Sequence, residues 1–187
     1  MSFQQSVPFT FAAGIPGELA QDGPLRSETM RLIANPAAPT APIVFGRAFG
    51  YASPSSFENP LGATSVAVAI PGGSNFAGIL IHPKAHASYG TANGPLTPVF
   101  SLPENSWGEI ARMCTPFVMI TAATAAAGAV GANIGYNAQG ELVAFVGALP
   151  ASTTLVPGAR LLTPVGLAPT PVLAKIELTT IAAAVTP

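Results

Sequence analysis

Short runs of alternating apolar and small or polar residues dominate the chain, and turn residues separate them. Residues 65–70 carry a large side chain at every second position, and residues 172–179 alternate apolar residues with Lys175 and Glu177. A period of two predicts strands whose two faces differ. By this pattern and by their β-compatible composition, the predicted strands are 29–33, 43–45, 47–49, 65–70, 76–82 and 172–179.

A turn signal from Asn137 to Gly140 separates two further strand patterns, at about 128–136 and 141–148, which we expect to pair as a hairpin. The chain contains 19 glycines and 20 prolines, and no long apolar stripe of helical period is free of them. Short helices are compatible only with 106–113 and 121–127. We therefore predict an all-β fold, mainly β with one or two short helices, built as a single compact sandwich or barrel.

The 187 residues suffice for one domain with extensions. The start of the chain is irregular and rich in turns, which predicts an N-terminal arm over 1–28, a β domain over 29–180 and a C-terminal tail over 181–187. No fixed-period repeat is visible in the sequence. The first ten residues lack the charged and apolar regions of a secretory signal.

Charge is scarce along the whole chain. Asp, Glu, Lys and Arg make up 8% of the residues, against about 25% in a typical soluble domain. The net charge is −1 and the basic residues are scattered, which argues against nucleic acid as a partner. The uncharged stretch 117–136 is too rich in Ala, Gly and Thr for a membrane span. These features indicate a structural part of an assembly rather than an enzyme.

Residues with catalytic or metal-binding chemistry do not form a recognisable motif. His82 and His86 have helical ligand spacing, but Pro83 disfavours a helix there, so no metal site is predicted. Cys114 is the single cysteine and is expected to be a small buried side chain. The carboxylates are dispersed, which leaves a glycosidase-like pair only formally open. We predict no catalytic, cofactor-binding or metal-binding residues and no cofactor.

Several segments together resemble the structural cement proteins, or capsid decoration proteins, of tailed bacteriophages. These segments occur in the order in which that family has them. They are Gly14-Ile15-Pro16-Gly17-Glu18-Leu19 with Gly23-Pro24, Val44-Phe45-Gly46-Arg47-Ala48-Phe49, Phe76-Ala77-Gly78-Ile79-Leu80-Ile81-His82-Pro83-Lys84, Val130 to Tyr136, Gly140-Glu141-Leu142, and Pro157-Gly158-Ala159-Arg160.

The resemblance implies a virion protein that binds the outside of an icosahedral capsid, built from a separate major capsid protein, and stabilises it. It also implies dimers or trimers on the capsid exterior, synthesis in the host cytoplasm, and neither a nucleic-acid nor a membrane partner. Alternatives are a minor capsid or tail structural protein, or a small β carbohydrate-binding module or β-barrel enzyme. Arginine is enriched at protein interfaces, and an arm can reach a neighbouring subunit. The predicted capsid or inter-subunit contacts are Ile15, Glu18, Asp22, Arg26, Arg47 and Arg160.

Overall fold

The computed structural model describes residues 14–21, 23–52, 68–82, 101–167 and 170–179. Within these ranges the chain forms ten strands and one short 3-10 helix, Ala126–Gly128, which confirms the all-β prediction. The strands are β1 (Arg26–Leu32), β2 (Ala48–Tyr51), β3 (Val68–Pro71), β4 (Phe76–Ile81), β5 (Trp107–Met113), β6 (Phe117–Ala122), β7 (Asn133–Tyr136), β8 (Leu142–Phe145), β9 (Thr154–Leu161) and β10 (Val172–Leu178).

The strands close into two barrels. Strands β1 to β5 form barrel 1 in the order β1-β3-β2-β4-β5, and β6 to β10 form barrel 2 in the order β6-β8-β7-β9-β10. In each barrel the first and third strands pair in parallel, and the other pairs are antiparallel. Closure leaves each sheet without the unpaired edge that invites pairing with other chains.

The two barrels repeat one topology, and a six-residue segment repeats with it. Residues 46–51 read Gly-Arg-Ala-Phe-Gly-Tyr, and residues 131–136 read Gly-Ala-Asn-Ile-Gly-Tyr. Gly46 and Gly131 both have positive φ, at 78° and 90°. Their N–H groups donate to the carbonyls of Leu80 and Leu161, each at 2.7 Å. The two barrels therefore repeat the same backbone path and the same hydrogen bond. In the sequence, this repeat is visible only in the two six-residue segments.

Apolar side chains fill both barrels and the space between them. The interior of barrel 1 is a cluster that includes Met30, Phe49 and Ile110. On the outer face of barrel 1, Ile79 and Ile81 belong instead to the cluster that fills barrel 2. The two barrels therefore share one continuous apolar contact.

A polar seam joins the same two barrels, where the turn after β3 faces the turn between β7 and β8. The buried Asn35 donates from Nδ2 to the carbonyls of Pro71 at 2.8 Å and Ala138 at 3.1 Å. The fully buried Tyr136 donates its hydroxyl to the carbonyl of Gly73 at 2.6 Å. Each bond satisfies a polar group that would otherwise be costly to bury.

Most of the predicted strands are confirmed, as is the β7–β8 hairpin. Of the predicted strand 65–70, residues 65–67 lie outside the described ranges. The helix considered for 106–113 is wrong, because this segment is β5. A Cβ at Gly108 would lie 2.5 Å from Leu32 and 2.7 Å from Leu80, so a glycine occupies an inward-facing position of this strand. Because glycine has no apolar side chain, the alternation of a strand was not visible in the sequence here. The helix considered for 121–127 is reduced to the 3-10 turn, since β6 continues to Ala122.

Candidate protein-contact surfaces

A groove of about 490 Å³ runs between the barrels. Its floor is the outer wall of barrel 2, with Met119, Thr121 and Val143, and its sides are the barrel 1 loop 44–47 and the barrel 2 loop 150–153. Most of the lining side chains are apolar, and Met119 is 40% exposed. The groove is therefore a surface that an apolar segment could cover.

The predicted contact residue Arg47 lines this groove and bridges the barrels. Its Nη2 lies 3.1 Å from Oε1 of Glu141, and its Nη1 donates to the carbonyl of Gln139 at 3.0 Å. Glu141 also accepts from Nδ2 of Asn137 at 2.9 Å. An exposed ion pair of this kind stabilises a protein by about 0–1 kcal/mol. The main effect of Arg47 is therefore to hold the turn between β7 and β8 in place against barrel 1.

The segment 14–20 brings two more predicted residues close to Arg47. The N–H of Ile15 donates to Oε2 of Glu18 at 3.1 Å, which closes a turn. The N–H of His82 donates to the carbonyl of Gly17 at 2.8 Å. A Cβ at Gly17 would lie 3.1 Å from the nitrogen of Gly46, which directly precedes Arg47. Ile15, Glu18 and Arg47 thus belong to one region.

The other predicted contacts lie elsewhere. Arg26 begins β1 opposite Met113 and is exposed. Arg160 is exposed on β9 and donates a hydrogen bond to the side chain of Asn133. Asp22 falls outside the described residues. Of the predicted residues that the structure describes, only Ile15, Glu18 and Arg47 are brought together.

One end of barrel 2 carries exposed aliphatic side chains that the sequence reasoning missed. The N–H of Gly131 bonds to Leu161 at 2.7 Å and that of Val165 to Gly128 at 2.8 Å, which gathers the loops before β7 and after β9 at this end. The residue after β8 joins them, because β8 pairs with β7. We call this set the apolar rim: Val130 (60% exposed), Val146 (60%), Leu162 (37%) and Leu167 (64%).

The sequence around the apolar rim carries very few charges. No charged residue occurs in 113–140, 142–159 or 161–174, so Glu141, Arg160, Lys175 and Glu177 are the only charges after Arg112. These uncharged stretches were the feature of the sequence that could have indicated the apolar rim. Large exposed apolar patches on soluble proteins commonly mark protein contacts.

An ionic cluster instead closes one end of barrel 1. Nη2 of Arg112 lies 2.5 Å from Oε2 of Glu28, and its Nε donates to the carbonyl of Ala77 at 3.1 Å. Its guanidinium also bonds the hydroxyl of Tyr51 and lies 5.4 Å from the centre of that ring. Glu28, Tyr51 and Arg112 each lie two positions along a strand from the core residues Met30, Phe49 and Ile110. The contacts of Arg112 are thus internal.

The described residues contain no group of three or more His, Cys, Asp or Glu side chains that could hold a metal ion. His82 packs its ring 4.7 Å from that of Phe45, and His86 lies outside the described residues. Cys114 is buried, as expected, and desolvation, with a smaller effect from Glu109, raises its pKa to about 12. Within the described ranges, no helix has the length and apolar character needed to cross a membrane.

Comparison with known proteins decides the family. A family model described as "Structural cement protein (E217 gp24/Pam3 gp6)" matches residues 3–179. The chain belongs to the phage structural cement protein family. A chain of the solved structure described as "The capsid of Myoviridae Phage XM1" has a TM-score of 0.54 and 12% identity, over 96% of this chain and 98% of that one. At that identity the likeness shows a shared fold. The search of curated proteins finds no match.

The cement protein is therefore a structural virion protein that stabilises the phage capsid and associates with it, as the resemblance implied. Its family consists of structural phage proteins. The comparisons give no support to a tail component or a carbohydrate-binding module.

Proposed function

We propose that this cement protein binds the outer surface of a shell formed by a separate major capsid protein, and that it acts there as a homo-oligomer, a dimer or trimer. In this proposal the protein is made in the host cytoplasm, uses no cofactor, catalyses no reaction, and binds neither nucleic acid nor membrane. The observation that carries the proposal is the apolar rim, an exposed aliphatic surface at an end of the molecule with few charged residues.

The apolar rim supports shell binding on energetic grounds. Burying a fully exposed Val or Leu side chain stabilises an interface by about 1.5–3 kcal/mol. Because the four rim residues are 37–64% exposed, together they offer roughly 3–7 kcal/mol before the costs of association. A weak contact of this size suits a protein that binds in many copies. The scarcity of charge at this end limits repulsion between neighbouring copies.

We therefore place barrel 2 toward the shell and barrel 1, which carries more of the charged residues, toward solvent. Arg160 directly precedes Leu161 and Leu162 and lies at the edge of the apolar rim, where it can pair with a carboxylate of the shell. The remaining proposed contacts with capsid or neighbouring subunits are Ile15, Glu18, Asp22, Arg26 and Arg47.

The test is decoration of capsids that lack this protein by variants of the apolar rim. The variant V146D/L167D places two carboxylates on the proposed contact. We expect its affinity for the shell to fall at least about 100-fold, since each 1.4 kcal/mol is a factor of ten and burying an unpaired charge costs more than that. Copies bound per particle are measured by quantitative gel densitometry across a concentration series.

The matched control is Leu155→Asp, which changes an exposed aliphatic residue, 45% exposed, near the start of β9 and away from the apolar rim and the other proposed contacts. It should decorate capsids like the unmodified protein. Circular dichroism must show that both variants keep the β fold. Unchanged occupancy by V146D/L167D would refute the rim as the shell contact. Sedimentation of the free protein tests the oligomer separately, and a monomer at concentrations that saturate capsids would contradict a homo-oligomer.

A further inference from the structure

The repeated topology of the two barrels carries an inference about the partner that binds the apolar rim. The hydrogen bonds from Gly46 to Leu80 and from Gly131 to Leu161 show which positions of the two barrels are equivalent. The residue after each glycine accepts a bond from the N–H of the same leucine, at 3.0 Å in both barrels, which gives the same alignment. One end of barrel 1 can therefore be compared with the rim end of barrel 2, residue by residue.

The equivalent positions differ in what covers them. Phe45 and Ile81 of barrel 1 are 4% and 2% exposed, whereas their counterparts Val130 and Leu162 are 60% and 37% exposed. Two side chains of the apolar rim are thus uncovered at positions that are buried in barrel 1.

The segment 14–20 covers this end of barrel 1. A Cβ at Gly17 would lie 2.8 Å from the Cβ of Phe45. A Cβ at Gly46 would lie 3.0 Å from the nitrogen of Gly17 and 3.1 Å from the Cβ of Pro16. A Pro-Gly step of the segment therefore lies directly against the Phe-Gly pair of barrel 1.

The equivalent place in barrel 2 is open. Gly131 has positive φ, as Gly46 does, but a Cβ at Gly131 would meet no described atom within 4 Å. The rim end of barrel 2 thus has a glycine that allows another backbone to approach closely, as Gly46 does, and no described segment lies on it.

A backbone donor is also left without an acceptor at this end. In barrel 1 the N–H of His82 donates to the carbonyl of Gly17 at 2.8 Å, and the counterpart of His82 is Thr163. The N–H of the preceding residue, Leu162, bonds to β10. Because successive N–H groups of a strand point to opposite sides, that of Thr163 points toward the side of Gly131. No backbone acceptor for it is present among the described residues.

We propose that the apolar rim binds an extended, uncharged Pro-Gly segment of the shell protein, in the way that barrel 1 binds the segment 14–20. The proline packs beside Gly131, the glycine lies over Val130, and a backbone carbonyl of the segment accepts from the N–H of Thr163. This inference rests on the proposed shell contact at the apolar rim and adds the chemistry of the partner.

The occupant comes from the shell because the equivalent segment of each copy is already bound within its own chain. The N–H of Gly17 donates to the carbonyl of Phe117 in barrel 2 at 2.7 Å, and its carbonyl accepts from His82 in barrel 1. A second copy would have to break these bonds to supply its segment. Few charged residues surround the apolar rim, so a charged segment would be buried there with few partners.

Two glycine variants test the proposal by decoration of capsids that lack this protein. Gly131→Ala places a methyl group where the proposed segment approaches the backbone. Gly147→Ala is the matched control, because Gly147 also has positive φ, has no described atom within 4 Å of its Cβ position and follows the rim residue Val146. The two substitutions therefore carry a similar backbone cost and differ in the part of the end that they change.

We expect Gly131→Ala to bind the capsid at least about tenfold more weakly than Gly147→Ala, because the added methyl group overlaps the bound segment. Copies bound per particle across a concentration series measure both affinities, and circular dichroism must show that both variants keep the β fold. Equal affinities, with binding lost in V146D/L167D, would overturn the proposed segment and leave the rim as the shell contact. Full binding by V146D/L167D would instead refute the shell contact itself, and this inference with it.

Hydrogen–deuterium exchange of the unmodified protein provides a readout that needs no substitution. Within residues 162–165, the N–H groups of Leu162 and Val165 already form hydrogen bonds, and Pro164 has no N–H. The amide of Thr163 should therefore exchange fast in the free protein and at least about tenfold more slowly on decorated capsids. Unchanged exchange on capsids would overturn the proposed hydrogen bond. Protection that appears in the free protein as its concentration rises would make a second copy the occupant, and would also overturn the proposal.

Discussion

Replacing Gly72 by alanine should destabilise the cement protein at the seam between its two barrels. Gly72 follows β3 and has a φ of +65°, in the region that favours glycine. A Cβ at this position would lie 2.3 Å from both the carbonyl carbon and the oxygen of Ala138, and 2.5 Å from the carbonyl oxygen of Asn137. These are backbone atoms of the barrel 2 turn, so no side-chain rotation can relieve the overlap.

The expected magnitude has two parts. An alanine held at positive φ costs about 1–2 kcal/mol, and forcing extra volume into a packed contact costs about 1–3 kcal/mol more. The predicted loss for Gly72→Ala is therefore about 2–5 kcal/mol in the free energy of unfolding. Gly147→Ala is the matched control, because Gly147 has a φ of +82° and nothing lies within 4 Å of its Cβ position. That variant should lose only the backbone part.

Urea unfolding at neutral pH, followed by circular dichroism, measures both free energies. The slope of the free energy against urea should match that of the unmodified protein, so that the comparison reports native-state stability. We expect Gly72→Ala to be less stable than Gly147→Ala by about 1–3 kcal/mol, the packing part alone. Equal losses in the two variants would refute the close approach of the two turns, and with it the seam.

Three further changes test contacts described above. Asn35→Asp keeps the size of the side chain but loses the two hydrogen bonds across the seam, and should cost about 1–3 kcal/mol in urea unfolding; an unchanged midpoint would contradict those bonds. Tyr136→Phe should cost about 1–2 kcal/mol through the lost bond to Gly73. Burial raises the pKa of Tyr136 from 10.0 to about 12, so its share of stability is complete below pH 10 and is lost as the pH rises toward 12. Tyr136→Phe should therefore lose less stability than the unmodified protein over that range, and parallel alkaline losses would contradict this. Arg112→Lys cannot keep the ion pair with Glu28 and the carbonyl bond together, and should lower stability by about 1 kcal/mol, whereas an unchanged thermal midpoint would show that the cluster stabilises little.

The strands were predictable where alternation is long enough to be read. In β10 the buried Ala174, Ile176 and Leu178 alternate with Lys175 and Glu177, and the structure preserves that order. In β5 the same logic failed, because its inward-facing positions include a glycine packed beneath leucines from β1 and β4. A pattern of apolar residues cannot show a core position that is occupied by a hydrogen atom.

The candidate surfaces were less predictable than the strands. Residue type alone singled out Arg47, but its pairing with Glu141 depends on how the two barrels dock. Val130 and Val146 are exposed, but small residues lie close to both in the sequence, and the same local sequence would also suit a buried position. The predicted hairpin already sets the loops before β7 and after β8 side by side, but only the structure shows that the loop after β9 joins them at the same end. The uncharged stretches were visible in the sequence, but their positions in space were not.

The two barrels separate the demands of the fold from those of the surface. Both close five strands in the same order, and Gly46 and Gly131 make equivalent hydrogen bonds in each. Two barrels of the same topology could carry the same charged residues at their ends. However, barrel 1 has the ion pair of Arg112 and Glu28 at one end, whereas the four residues of the apolar rim of barrel 2 are all aliphatic. The shared topology does not require this difference in charge. We therefore attribute it to the different surroundings that the two barrels contact. A molecule with an apolar rim on one barrel and more of its charged residues on the other suits a position between a protein shell and water, which is the orientation that the decoration experiment tests.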